Sequence, residues 1–182
     1  MRHHTIMLTA ALTFAAAGTP ALAQVQVPEG VDPAYMTAEL NLPPEDVEAV
    51  RQVVLRLNHA LDAADYDLYG SFFAPEAEFV TGFGTSTGPE GIAEAMRQSS
   101  GFTQGKRHVS ANLVISGEGD RAVVTSYQVV FERVEGLTYA GSAFNVDTLE
   151  RRDGEWLVVR HDSTLDPATA AMVQEMMGGS GN

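Results

Sequence analysis

Residues 108–165 read HVSANLVISGEGDRAVVTSYQVVFERVEGLTYAGSAFNVDTLERRDGEWLVVRHDSTL, and this stretch decides the fold. Polar and apolar residues alternate with period two over 108–116, 121–133, 137–151 and 155–165, the spacing of four long strands. Their joints, Gly117-Glu118-Gly119-Asp120, Val134-Glu135-Gly136 and Arg152-Asp153-Gly154, carry the glycines and acids of hairpin turns. The strands therefore form an antiparallel meander.

Upstream the period changes to that of a helix. Pro43-Pro44-Glu45-Asp46 is a helix start, with proline and acids in the first turn. Val47, Val50, Val54, Leu57 and Leu61 then recur at steps of three and four on one apolar face. Asn58 falls on that face and Asp62 at its edge, near the helix C-terminus, where the dipole disfavours an acid. Asp62 needs another reason to be there. A short helix fits 66–73, stopped by Pro75, and 76–80 reads as a short strand. Residues 81–88, with Gly82, Gly84 and Gly88, read as a loop, and Pro89-Glu90 opens a helix through Ile92, Ala93 and Met96 to about Ser99. Helices followed by a meander make an α+β domain whose helices cover one face of a curved sheet.

The chain has 182 residues, room for one domain with modest extensions. It has no cysteine, which excludes disulfides, thiolate metal sites and a cysteine nucleophile. Eleven basic against 24 acidic residues give a formal charge of −13, which repels phosphate backbones and argues against a nucleic-acid partner. Residues 1–23, MRHHTIMLTAALTFAAAGTPALA, read as a signal peptide: a basic start, an apolar run and the small-x-small site Ala21-Leu22-Ala23. The run is shorter than the ~20 residues a membrane span needs, so no membrane association is expected after cleavage. The expectation is a periplasmic or secreted protein. Residues 24–44 are a proline-rich extended lead-in, 45–166 the domain, and 167–182 a short helix with a frayed tail.

Leu61-Asp62-Ala63-Ala64-Asp65-Tyr66-Asp67, then Phe72-Phe73-Ala74-Pro75-Glu76-Ala77-Glu78-Phe79, resembles a signature of the SnoaL-like, nuclear transport factor 2-like superfamily. The likeness continues in Gly88-Pro89-Glu90-Gly91-Ile92, in Arg107-His108-Val109-Ser110-Ala111-Asn112 and in Arg152-Asp153-Gly154-Glu155-Trp156, over about residues 45–165. It implies a cone-shaped α+β barrel with a deep pocket between helices and sheet, commonly dimeric through the outer sheet face. The scaffold hosts cyclases, dehydratases, isomerases, hydrolases and non-catalytic subunits, so fold leaves the reaction open.

In scytalone-dehydratase-like members a pocket histidine at the start of this strand is oriented by an aspartate from the end of the first helix, and His108 and Asp62 match those two places. A carboxylate on one ring nitrogen fixes the tautomer and leaves the other nitrogen for proton transfer. His108 and Asp62 are thus the candidate catalytic pair. Those dehydratases place a second histidine where this chain has Ser142, Ala143 and Phe144. By alternation His108, Ser110, Asn112 and Val114 share one strand face. Ser110, Asn112, Tyr127, Asn145 and Tyr66 are the candidate substrate-binding residues. Asp147, on the face of Asn145 and Leu149, reads as a cross-strand ion pair on the outer sheet face; buried, it would need a partner such as Arg160 or His161 on the next strand. His59 should be exposed, and Met172, Met176 and Met177 form a soft apolar strip suited to a pocket mouth or a dimer seam.

The three histidines beyond the leader (59, 108 and 161) lack metal-type spacing, and no nucleotide loop or Gly-x-Ser-x-Gly elbow occurs. No metal and no cofactor is expected. The sequence points to a cofactor-free lyase, isomerase or cyclase acting on a small hydrophobic molecule. A binding protein using the same pocket, or an association subunit, is the alternative. A homodimer is expected.

Overall fold

The computed structural model describes residues 33–178. The leader 1–23, residues 24–32 of the lead-in and the tail 179–182 lie outside the described residues. A 3-10 turn, Pro33–Met36, leads into the two-residue strand β1 (Leu40–Asn41) and then α1 (Pro44–Asp62). After α2 (Tyr66–Ser71) come the hairpin β2 (Phe73–Thr81) and β3 (Gly84–Thr87), then α3 (Gly88–Gln98) and the single turn α4 (Ser100–Thr103). The meander is β4 (Lys106–Glu118), β5 (Arg121–Glu132), β6 (Thr138–Arg152) and β7 (Glu155–Leu165), closed by α5 (Pro167–Gly178).

The seven strands form one sheet in the order β1-β4-β5-β6-β7-β2-β3. Pairing is antiparallel except where β1 joins β4 and β2 joins β7. The sheet is curved but not closed: β1 and β3 are its free edges. Two readings of local structure change. Residues 81–88 contain a strand, because Thr81 pairs with Gly84 across a tight turn and Glu78 with Thr87. Part of the lead-in is bound: Leu40 and Asn41 pair with Gly117 and Glu118, Leu42 is buried, and Tyr35 packs 5.6 Å from Phe144.

α1 sits on the concave face because Val50, Val54, Leu57 and Leu61 line up on its inner side and are buried. They meet Ile92 and Ala93 of α3, Phe73 of β2, and Val124, Leu149, Trp156 and Val158 of the sheet. Asp46 pins its first turn: the carboxylate accepts from Trp156 Nε1 at 3.1 Å and from the Arg151 guanidinium at 2.9 Å. α1 ends in a left-handed cap, with Ala64 N–H donating to Leu61 O (3.0 Å) and Asp65 N–H to Ala60 O (2.9 Å). Ala64 holds φ 55° to do so, and Asp65 then caps α2 by accepting from Leu68 N–H at 3.1 Å. The turn fixes Asp62 as the last residue of α1, beside β4.

Two of the sheet's β-bulges set which side chains of β4 and β7 point inward. On β4 the register slips between Ala111 and Val114, where Asn112 takes φ 51°. On β7, Leu149 faces Val158 but Thr148 faces Arg160, so Val159 is an extra residue. Each insertion reverses the in–out alternation beyond it.

Candidate active site

The helices do not fill the concave side of the sheet, and a cavity of about 710 Å³ remains between α1, α3, α5 and strands β4 to β7. Its wall is largely apolar, with Leu57, Leu61, Phe79, Met96 and Val130 among its lining. Set into this wall are two histidine–aspartate pairs.

In the first, His108 Nδ1 lies 2.7 Å from Asp62 Oδ1, and the His108 backbone N–H donates to the same oxygen at 3.0 Å. Arg107 Nε approaches the other carboxylate oxygen at 3.2 Å. These three donors account for an acid at a helix C-terminus. The two side chains are only 8% and 12% exposed, which keeps bulk water from competing for the bond. In the second pair, His161 Nδ1 lies 2.6 Å from Asp147 Oδ1, and both residues are buried. The His161 ring stacks on Phe79, 4.6 Å apart and 6° from parallel, which fixes its plane.

Neither Nε2 bonds to protein among the described residues, and neither is sealed off, because Ser126 Oγ is the one buried side-chain polar atom there without a partner. Both rings line the cavity, and neither Nε2 is committed to a protein group among the described residues. A carboxylate on Nδ1 selects the tautomer with the proton on that nitrogen and leaves Nε2 as a base, or as an acid once protonated.

Between the pairs, Asn58, Ser110 and Gln128 close a ring of hydrogen bonds. Asn58 Nδ2 donates to Ser110 Oγ (2.8 Å), Ser110 Oγ to Gln128 Oε1 (3.0 Å) and Gln128 Nε2 to Asn58 Oδ1 (3.0 Å). Ser110 lines the cavity with its only proton already committed. Asn145 also lines it, its Oδ1 accepting from Ser163 Oγ at 2.8 Å. Tyr69 contributes from α2, and burial, with the Asp147 charge as a second cause, pushes its pKa well above the ordinary tyrosine range. It stays a neutral O–H donor. On the other side of the sheet, a groove of about 850 Å³ under Tyr35 contains Arg160 and Asp162, which pair with each other. Both histidine pairs belong to the inner cavity.

Residues 44–162 match the family model described as the SnoaL-like domain. The chain belongs to the SnoaL-like family. Among solved structures, a Nostoc punctiforme protein of unknown function with a cystatin-like fold is 30% identical, with a TM-score of 0.68 over 71% of this chain and 97% of that one. A Catenulispora acidiphila protein solved in complex with S-DNPA is 28% identical, at TM-score 0.62, covering 71% and 99%. ActVI-ORFA of Streptomyces coelicolor, 23% identical at TM-score 0.59 over 66% and 97%, shares the fold. No curated protein matches.

Within this SnoaL-like domain the expected site residues separate. His108, Asp62, Ser110 and Asn145 lie at or beside the cavity. Asn112 does not: the β4 bulge breaks the alternation that grouped it with His108, and it is exposed. Tyr127 stands on the outer sheet face, 48% exposed, edge-on to Phe144 at 5.8 Å. Tyr66 is buried in the core with its hydroxyl accepting from Gln104 at 3.3 Å; Tyr69, one turn on, reaches the cavity instead. Asp147 is not on the outer face but 2% exposed on the inner one. His161 also lines the cavity, where sequence reasoning offered it only as a partner for Asp147. Counting back from the Arg152-Asp153-Gly154 turn places it near Asp147, but an unbroken ladder would have set Arg160 opposite instead. His59 is exposed. Thr169, Met172, Val173 and Met176 of α5 line the cavity.

Proposed function

We propose that this SnoaL-like protein is an enzyme that moves protons on a small, hydrophobic, uncharged molecule, in a lyase, isomerase or cyclase reaction needing no cofactor. The observation that carries this reading is the pair of carboxylate-held imidazoles opening on one apolar cavity. Proton transfer from one site and to another needs a base and an acid together, and two oriented imidazoles supply both. His108 with Asp62 and His161 with Asp147 fill these roles.

Substrate size and charge follow from the same wall. His108 and His161 lie on strands separated by β5 and β6, three strand spacings or roughly 14 Å along a flat sheet, shortened by curvature. A molecule of two or three rings spans the gap between ring tips. Among the described residues Lys106 is the one Lys or Arg lining the cavity, and it is paired with Glu132, while Asp147 lies in the wall and Asp62 just behind His108. An anionic substrate would find no free Lys or Arg among them, so a neutral substrate fits best.

The test is deuterium uptake from D2O at the α-carbon of deoxybenzoin, a two-ring enolisable ketone, followed by NMR. The wild type should accelerate exchange over buffer, and His108→Ala/His161→Ala should lose about a hundredfold of that rate with its circular dichroism unchanged. A double variant as fast as the wild type contradicts the proposal. A wild type no faster than buffer favours the binding-protein reading.

A homodimer is part of the same proposal. Val109, Val114 and Tyr127 are exposed apolar residues of β4 and β5, where a second copy would cover them. Sedimentation equilibrium reporting twice the chain mass supports this; a monomer at micromolar concentration rejects it.

A further inference from the structure

We infer that the groove on the outer side of the sheet is a second small-molecule site, built for a neutral aromatic alcohol or phenol. It stands apart from the acid–base reading above, since no histidine is among its described lining residues.

Three observations build the site. First, the groove of about 850 Å³ lies between sheet and lead-in, with Val123, Thr125 and Val146 on the sheet side and Tyr35 and Ala38 on the other. That volume falls in the range of small-molecule pockets. The lead-in is held there because Leu40 of β1 pairs with Gly117 of β4, the residue after Ser116. Second, Thr125 is 2% exposed and Ser116 7%, both line the groove, and neither hydroxyl makes a hydrogen bond among the described residues. Neither oxygen is sealed, since Ser126 Oγ is the one sealed and unpaired side-chain oxygen there. A hydroxyl withdrawn from bulk water without a partner costs stability, and a ligand oxygen relieves that cost. Third, the register brings the two hydroxyls together. Ser116 pairs with Val123 and Val114 with Thr125, so Ser116 and Thr125 are diagonal neighbours on one sheet face, roughly 7 Å apart at Cα. One ligand oxygen between them reaches both.

The lining sets the ligand class. A serine or threonine hydroxyl both donates and accepts, and the group that answers two of them is a ligand hydroxyl, which does the same. Charge has no place here. Arg160, the one Lys or Arg lining the groove among the described residues, is held by Asp162 through two bonds of 2.7 Å and by Glu78. Asp162 is the one acid in that lining and is committed to Arg160, so neither an anion nor a cation finds a free partner. The walls favour a flat ring, because Tyr35 and Phe83 offer aromatic surface and Val123 and Val146 a low apolar floor.

The experiment compares 2-naphthol, uncharged at neutral pH, with naphthalene, which lacks the hydroxyl, by NMR of protein labelled at its valine methyls. Val123 and Val146 line the groove alone, and Val54 and Val130 the inner cavity alone, so the methyls report where the ligand sits. In the wild type, nuclear Overhauser contacts should join the naphthol ring to Val123 and Val146. Titration read at those two methyls should give about tenfold tighter binding for 2-naphthol than for naphthalene. Ser116→Ala/Thr125→Val, which keeps the volume of the floor nearly constant, should bind the two compounds equally, and either single substitution should remove part of the preference. Contacts to Val54 and Val130 alone, binding of neither compound, or equal wild-type affinities at Val123 and Val146 overturns the site. So does a double variant that keeps the preference, or a groove whose valine methyls show contacts to residues 24–32 or to a second copy in place of the ligand.

Discussion

His161 faces Asp147 across β6 and β7, Nδ1 to Oδ1 at 2.6 Å, because Val159 is one residue more than its strand can pair. Beyond the bulge the inward positions fall on odd rather than even residues, so Arg160 turns out to Glu78 and Asp162 while His161 turns in. A bulge beside a site re-aims a side chain, and here it exchanges a guanidinium for an imidazole inside the cavity.

The cap that positions Asp62 is strained. Ala64 sits at φ 55°, where a Cβ costs about 1–2 kcal/mol. Ala64→Gly removes that strain while loosening the unfolded chain, so it should stabilise the fold by about 0.5–1 kcal/mol. Urea unfolding at neutral pH measures this; an unchanged or lower midpoint would count against the cap geometry.

Asp46 holds the other end of α1. Asp46→Ala leaves Trp156 Nε1 buried without an acceptor, while Arg151, one-third exposed, recovers water. The expected loss is about 2 kcal/mol. Asp46→Asn keeps an acceptor for the indole and should lose less, as equilibrium unfolding of the two variants would report.

Tyr69 makes the fold sensitive to alkali. Its pKa is raised by folding, so above about pH 10 the unfolded chain releases a proton that the folded chain keeps. The stability from keeping Tyr69 neutral is fully present below pH 10 and declines at higher pH, by about 1.4 kcal/mol per pH unit for this group. Tyr69→Phe should therefore decline less steeply between pH 10 and 11 than the wild type. Parallel slopes in urea titrations would show that the Tyr69 hydroxyl is not buried.

Much of this was legible in the residues. The apolar steps of α1 and the glycine-bearing turns gave the layers, and an acid misplaced against the helix dipole pointed to a partner for Asp62. The inward face of β5 was not legible, since Val123, Val129 and Phe131 on one face are as apolar as Val124 and Val130 on the other. Alternation alone could not choose between them, and Tyr127 was assigned to the wrong side. The bulges at Asn112 and Val159 leave no glycine or proline signal, so the parity of β4 and β7 had to come from three dimensions. The six-residue α2 is too short for periodicity to separate Tyr66 from Tyr69.

Both imidazoles are carboxylate-held and line one cavity. 15N NMR of ring-labelled histidines in the wild type at neutral pH, with and without deoxybenzoin, reads both properties at once. His108 and His161 should both carry their proton on Nδ1, and both Nε2 resonances should move when deoxybenzoin binds. A proton on Nε2 in either ring, or deoxybenzoin bound with either Nε2 resonance unmoved, would overturn the acid–base reading.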